Sequence, residues 1–360
     1  MANVYRADHV GTFIHPEPLL AAQAAFAAGT LDAAALQTAQ DNAICEVIEQ
    51  QKAVVMTVVS DGGFRRVDAD EPYRSALEGL KRVETAARST LGGGYAVCGK
   101  LRQISRLAQH EAAFLKAKVG SRFKICLLSP SALALRLYRP GVTDAVYRTV
   151  GDLATALGPV LRSEVQALFQ EDVPYVQLDS PSYDALFEGA AAQLLGVGSA
   201  DAGAWFEELL AIDAEAIEGI PRPDSAALAL HVERVPGLAD GGDRYERMVT
   251  RVLERLSVDR VLLEYGEPQP HDFTALAALP EGRMAVLGLV RTGGEPEEIG
   301  AIMDRIDQAV RVRSQETLAL SPRRGFVNEP GRPVAEQLKA QHESLVRASE
   351  VVQQFWGLEL

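Results

Sequence analysis

The feature that most constrains the fold of this chain is a repeated alternation of short apolar runs with longer stretches of helical periodicity. The short runs are apolar or β-branched, whereas the longer ones are rich in Ala, Leu and Glu. This alternation is typical of βα units, in which helices cover a parallel sheet. Because no Ser/Gly-rich linker interrupts it, we predict one α/β domain over residues 1–360, a (β/α)₈ TIM-type barrel with a parallel sheet and an outer ring of helices.

Nine runs have the length and composition of strands, one more than the barrel needs, so we expect one of them to be accessory. They are Val4–Val10, Ala53–Ser60, Tyr95–Leu101, Phe123–Leu128, Tyr175–Leu178, Ala227–Val232, Arg260–Tyr265, Met284–Val290 and Leu318–Ser321. The predicted helices include Leu31–Gln51, Val142–Phe169, Asp201–Ala216, Arg244–Leu256, Glu295–Arg313 and Pro333–Phe355. The segment Pro130–Pro140 is expected to be an excursion over the top of the barrel.

Composition and charge exclude several classes of partner. The formal net charge of −13, without a cluster of Lys and Arg, argues against a nucleic-acid surface and favours a small-molecule substrate. The cysteines Cys45, Cys98 and Cys126 are widely spaced and form no CxxC pair, which favours a reducing compartment and hence the cytoplasm. We expect no signal peptide and no membrane span, because no apolar run reaches the ~18 residues that a span requires.

Polar or charged residues directly follow almost every predicted strand. In a (β/α)₈ barrel the carboxyl ends of the strands form the catalytic face, so these residues are expected to line one pocket. They include Arg6, Asp8, His9, Asp61, Arg65, Arg66, Lys100, Ser129, Ser131, Asp179, Ser180, His231, Glu233, Glu264, Arg291, Arg323 and Arg324.

Seven short segments at these positions carry a family resemblance. They are RADHVGTF at the N-terminus, VVSDGGFRR at 58–66, YVQLDSPSYD at 175–184, ALHVE at 229–233, LLEYGE at 262–267, VLGLV at 286–290 and LSPRRGF at 320–326. In this order they resemble the catalytic barrel of cobalamin-independent methionine synthase, particularly its single-barrel relatives. The resemblance implies a zinc ion, held by one His, two Cys and one Glu, that binds homocysteine as a thiolate. It also implies that a methylated folate donates the methyl group.

The matching positions of the zinc site are His231, Glu233, Glu264 and Arg324, so two ligands are retained and both cysteines are replaced. A carboxylate can coordinate zinc, but a guanidinium has no lone pair to offer. The formal charges of two thiolates, one carboxylate and Zn²⁺ sum to −1, and those of two carboxylates and one Arg also sum to −1. Arg324 is therefore expected to replace the metal and to pair with the acids in bidentate geometry. We therefore predict no metal cofactor, with these four residues as the catalytic set. The alternative is a reduced zinc site of His231, Glu233 and Glu264, and methylated folate is implied only if the family activity is retained.

The substrate-binding positions implied by the resemblance are altered too. The Asp-Gly-Glu of the family is Asp61-Gly62-Gly63 here, its Asp-Glu-Pro is Asp179-Ser180-Pro181, and its Arg-Pro is His15-Pro16. We predict that His9, Asp61, Asp179 and Ser180 bind substrate. The alternatives are turn chemistry for Asp61, a helix cap for Asp179 and a structural role for His9 and for His231.

Three functions are consistent with these residues. The first is a diverged enzyme of the family, a transferase or a metal-free lyase or decarboxylase, acting on a small amino- or carboxylate-bearing substrate at the barrel mouth. The second is methyl or alkyl transfer to a thiol at the reduced zinc site. The third is a non-catalytic small-molecule-binding protein.

Overall fold

The computed structural model describes residues 5–66, 70–83, 94–181, 183–189, 199–235, 243–265, 273–295 and 297–358. Its strands are β1 (Leu77–Arg82), β2 (Tyr95–Gln103), β3 (Ile125–Leu128), β4 (Tyr175–Ser180), β5 (Ala227–Val232), β6 (Arg260–Glu264), β7 (Met284–Val290) and β8 (Leu318–Pro322). Strands β3 to β8 form one parallel sheet in sequence order. Every residue of β5, β6, β7 and β8 is buried, as expected for strands covered on both faces.

Two segments near the N-terminus complete the ring of strands. Ala7 forms a parallel bridge with Leu320 of β8, and Val59 forms one with Phe123, two residues before β3. The two segments are joined by a hydrogen bond from the Thr57 amide to the Ala7 carbonyl, 3.1 Å long. Backbone hydrogen bonds therefore link eight parallel segments, and the predicted (β/α)₈ class is confirmed.

The helices are distributed along the chain as the barrel requires. They are α1 (Glu17–Ala27), α2 (Ala33–Ala53), α3 (Glu71–Ala76), α4 (Gln109–Val119), α5 (Pro130–Leu137), α6 (Val150–Gln170), α7 (Tyr183–Leu186), α8 (Ser199–Ile217), α9 (Arg244–Arg255), α10 (Ile299–Val310) and α11 (Val334–Trp356). Within the described ranges, none of these helices combines the length and apolarity needed to cross a bilayer.

Three sequence-based expectations are corrected. The run Tyr95–Leu101 lies in β2, which pairs antiparallel with β1 in a hairpin outside the barrel sheet, so it is the accessory strand and Lys100 is not at a barrel strand end. The predicted excursion at Pro130–Pro140 is mostly helix α5, because the Ser129 side chain caps its first turn. Helix α6 begins at Val150 instead of Val142, since Thr149 and Asp152 form a capping box there.

The barrel interior contains a buried group of polar residues, here called the interior cluster: Asp8, Lys124, Tyr175, Gln177 and Arg260. Each is at most 1% exposed. Asp8 accepts hydrogen bonds from the Lys124 ammonium at 3.0 Å, the Tyr175 hydroxyl at 3.0 Å and the Arg260 guanidinium at 3.4 Å. Burial would raise the pKa of Asp8, but the charges of Lys124 and Arg260 hold it below its usual value. Two cations thus share one carboxylate at the barrel centre.

His9 gives a prediction for the pH dependence of stability. Its ring is buried, and its Nε2 lies 3.0 Å from the Val58 carbonyl oxygen. Burial lowers the pKa of His9 to about 3. In the unfolded chain the pKa of a His is near 6.5, so between about pH 3 and pH 6.5 the unfolded chain binds one proton more than the folded protein. The free energy of unfolding therefore falls with acidification by up to ~1.4 kcal/mol per pH unit.

Urea unfolding at a series of pH values tests this expectation. The variant His9→Gln keeps a donor but cannot titrate, so its stability is expected to change less between pH 6 and pH 4 than that of the wild type. His342→Gln, at an exposed position on α11, is the matched control and should leave the wild-type slope unchanged. Equal slopes in His9→Gln and the wild type would contradict the prediction.

Candidate active site

Three neighbouring strands bring Asp179, His231 and Glu264 together. Asp179 of β4 lies opposite His231 of β5 in the parallel register, and Glu264 is the last residue of β6. His231 Nδ1 lies 3.3 Å from Asp179 Oδ1, and His231 Nε2 lies 3.1 Å from Glu264 Oε1. His231 and Glu264 are buried, whereas the Asp179 side chain is 21% exposed. The imidazole is therefore held between two carboxylates at the carboxyl ends of the strands.

The two carboxylates determine the protonation of His231. Burial alone would lower its pKa, but the hydrogen bonds to Asp179 and Glu264, together with their charges, raise it to about 10. Carboxylates only accept hydrogen bonds, so both ring nitrogens carry a proton in this arrangement. At neutral pH the ring is an imidazolium between two anions.

Glu233 follows β5 directly and is partly exposed. Burial raises its pKa to about 7, and the negative charge of Glu264 adds to this effect, while His231 and Arg324 lower the pKa. A carboxyl group that titrates near neutrality is suited to transfer a proton in either direction. The surroundings of Glu233 therefore differ from those of Glu264, which contacts His231 and accepts a hydrogen bond from the Arg234 amide, 3.1 Å from Oε2.

Arg324 is exposed and contributes its charge at a distance. Among the described residues, no hydrogen bond or ion pair joins it to Glu233 or Glu264, so the expected bidentate pairing is not present.

Two of the four residues at the family's zinc-ligand positions, Glu233 and Arg324, are not the cysteines of the family. The His231 ring nitrogens lie 3.3 Å and 3.1 Å from carboxylate oxygens, and Arg324 has no lone pair for a metal. In the described part of the chain, no three His, Cys, Asp or Glu side chains are placed to share a metal ion.

A cavity of about 510 Å³ adjoins the three-residue site through Asp179. Asp61 also lines it, and its two carboxylate oxygens have different surroundings. Oδ1 accepts a bond from the Gly63 amide at 3.0 Å, as the turn interpretation predicts, whereas Oδ2 is buried without a hydrogen-bond partner in the described residues. The remaining walls are mostly apolar and include Phe13, Leu20, Leu128, Phe326 and Val327. The cavity thus combines two acids and the cation Arg66 with a mostly apolar surface.

Two predicted substrate-binding residues lie away from this cavity. Ser180 follows Asp179 in β4 and points to the opposite face, because side chains alternate along a strand. Its hydroxyl lies 3.2 Å from that of Ser129, in a buried group that includes Asp213. His9 is fully buried beside Val58. The structure therefore favours a structural role for both residues.

One wall of the cavity is formed by contacts of Thr12, Phe13 and His15 with Phe326 and Asn328, here called the clasp. The Asn328 side chain accepts from the His15 amide at 2.9 Å and donates to the His15 carbonyl at 3.0 Å. The Phe326 amide donates to the Thr12 carbonyl at 3.1 Å, and the Phe326 ring stacks on Phe13 with centroids 5.9 Å apart. Because these partners are far apart in sequence, local patterns could not reveal the clasp.

Replacing Glu264 with Gln gives a prediction for the electrostatics of the site. Gln retains an acceptor for His231 Nε2 but removes one negative charge, so the pKa of His231 is expected to fall from about 10. The pKa of Glu233 should fall as well, since Glu264 raises it. NMR titration of the histidine ring measures the first shift. Glu297→Gln, which removes the partner of Arg323 at 2.6 Å, is the control and should leave His231 unchanged.

Comparison with known proteins agrees with this architecture. Residues 7–344 match the family model described as cobalamin-independent synthase, catalytic domain. The uncharacterized protein YxjH of Bacillus subtilis is 30% identical over 356 residues, covering 92% of this chain and 90% of that protein. A putative vitamin-B12 independent methionine synthase from Listeria monocytogenes has a TM-score of 0.76 at 23% identity, covering 98% of each chain.

A second solved structure, a B12-independent methionine synthase from Shewanella sp. W3-18-1 in complex with selenomethionine, has a TM-score of 0.74 at 18% identity. It covers 99% of this chain and 100% of that one, so the fold is shared along the whole length. The fold and the strand-end site define a (β/α)₈ catalytic domain. The chain belongs to the cobalamin-independent synthase catalytic-domain family, whose chemistry is methyl transfer.

Proposed function

We propose that this protein is a diverged enzyme of the family that acts on a small amino- or carboxylate-bearing substrate without the zinc–thiolate site. The observation that carries the proposal is the hydrogen bonding of His231, whose two ring nitrogens both face carboxylates. In this proposal the ring acts as a cation, since an imidazole protonated on both nitrogens has no lone pair for a metal.

The described groups suggest a division of roles. Asp61 and Asp179 line the cavity and would bind a cationic amino group, while exposed Arg324 would bind a substrate carboxylate or a developing anion. Glu233 would transfer the proton, because its pKa of about 7 allows both protonation states at neutral pH. Group transfer and metal-free lyase or decarboxylase chemistry are both consistent with this set.

Two measurements test the proposal. The purified protein is assayed for zinc, and its reaction products with a panel of small amino acids and their des-amino analogues are followed by mass spectrometry. We expect substoichiometric zinc and a reaction that Glu264→Gln abolishes but a chelator does not. Glu297→Gln, which breaks an ion pair at the same end of the barrel, should retain the reaction.

The alternatives predict different results. One tightly bound zinc per chain, lost in His231→Ala, together with methylation of a thiol, would establish transfer at the reduced zinc site of His231, Glu233 and Glu264. Binding without turnover, unaffected by neutralising the acids, would establish a binding protein.

A further inference from the structure

Gln177 lies in β4 and is the member of the interior cluster that contacts the site, and its side chain is fully buried. Its Oε1 accepts a hydrogen bond from the Lys124 ammonium at 2.8 Å. Its Nε2 donates to the Val10 carbonyl at 2.7 Å and to Asp179 Oδ1 at 2.7 Å. Because residues 177 and 179 are one strand period apart, both side chains point into the barrel. Gln177 thus connects Lys124 with Asp179 directly.

The partners of Gln177 determine the orientation of its amide. The ammonium of Lys124 can only donate, so it must face the amide oxygen. The Val10 carbonyl and the Asp179 carboxylate can only accept, so they must face the amide nitrogen. A flipped amide would place donor against donor and acceptor against acceptor, and each contact would be lost in a buried environment.

We propose that Gln177, held in place by Lys124, is a positioning residue that orients the Asp179 carboxylate for His231 and for the cavity. Asp179 Oδ1 accepts from Gln177 on one side and from His231 Nδ1 on the other, so it is fixed between them. Lys124 is itself anchored by Asp8 Oδ1 and by the His9 carbonyl. The importance of this arrangement rests on the proposed function, in which Asp179 binds substrate.

The local charges allow a sharp test at Gln177. Lys124 and Arg260 exceed Asp8 by one positive charge, so Gln177→Glu would neutralise the interior cluster while keeping the contact with Lys124. It would, however, replace the donor that faces Asp179 with an acceptor. Gln177→Met removes the donor without adding charge. Both variants therefore remove the same hydrogen bond by different means.

The experiment follows the His231 ring by NMR in protein labelled with ¹⁵N-histidine, without any ligand. The Nδ1–H signal is assigned by its loss in His231→Asn, and its exchange with water is measured. In Gln177→Met and Gln177→Glu we expect the Nδ1–H signal to shift and its proton to exchange with water about tenfold faster. A factor of about ten corresponds to the loss of one charge-assisted hydrogen bond to Asp179. Thermal unfolding establishes that each variant is folded.

Tyr175→Phe is the matched control, because it removes a hydrogen bond to Asp8 from the same interior cluster without touching Gln177. It should leave the His231 signal unchanged. An unchanged signal in both Gln177 variants, or an equal change in Tyr175→Phe, would overturn the proposal. The NMR experiment uses no substrate, so its result does not depend on turnover. An absence of turnover would count against the proposed function but not against the positioning role of Gln177.

Discussion

Replacing Asp8 with Asn is expected to lower the free energy of unfolding by about 3–5 kcal/mol, the usual cost of removing one partner from a buried ion pair. Asp8 is the carboxylate shared by Lys124 and Arg260, and all three side chains are fully buried. Asn has nearly the same shape, so the packing is retained while two cations lose their counter-charge. Water cannot compensate them, because the barrel closes around the interior cluster.

Urea unfolding of the wild type and Asp8→Asn measures this loss. The control is Glu78→Gln in the hairpin, where Glu78 pairs with Arg102 at 2.6 Å but both side chains are at least half exposed. An exposed pair contributes at most ~1 kcal/mol, so this variant should be close to the wild type. Similar losses in the two variants would show that burial does not strengthen the Asp8 interactions.

The second large effect is expected at Gly288 of β7, which lies opposite Glu264 in β6 and Ser321 in β8. A Cβ atom here would lie 2.6 Å from the Leu263 carbonyl oxygen and 3.0 Å from the Arg323 carbonyl oxygen. Both are backbone atoms in the barrel wall, so they cannot rotate away. Gly288→Ala is therefore expected to destabilise the protein by about 3 kcal/mol, at the upper end for overpacking.

The displacement would also reach the candidate site, because the strand that must move carries Glu264. We expect Gly288→Ala to weaken the contact between Glu264 and His231, visible as a shift of the His231 ring signals in NMR. Gly300→Ala in α10 is the control, since nothing lies within 4 Å of its added Cβ, and it should be neutral or stabilising by less than ~1 kcal/mol. A Gly288→Ala variant as stable as Gly300→Ala would contradict the steric argument.

Apolar residues that recur every two residues or every 3.6 residues predicted those strands and helices whose formation depends on local burial. All the barrel strands correspond to predicted apolar runs, and His231, Glu264 and Asp179 were predicted at strand ends. The hairpin strand Leu77–Arg82 was missed because its sequence, LEGLKR, is mostly polar and alternates poorly. Whether a polar residue binds substrate or supports the barrel depends on distant contacts, as at His9, which is covered by Val58.

Strand alternation, applied more strictly, could have placed Ser180 and Gln177 on opposite faces of β4 from the sequence alone. Ser180 is adjacent to Asp179 and must point away from it, whereas Gln177 is two positions before Asp179 and must share its face. A Gln in the otherwise apolar run YVQL is a signal of a buried amide that needs partners. The identity of those partners, Lys124 above all, required the folded structure.

The clasp between Asn328 and His15 joins residues 313 positions apart, and it has a consequence for how the protein forms during synthesis. Folding slows as native contacts span longer stretches of sequence, because more of the chain must be ordered before they are made. The ring cannot close on the ribosome until β8 and the loop after it have emerged. Until then the N-terminal segment at Ala7 and strand β7 each lack the neighbour that β8 provides, and these open strand edges make the nascent barrel prone to association with other chains.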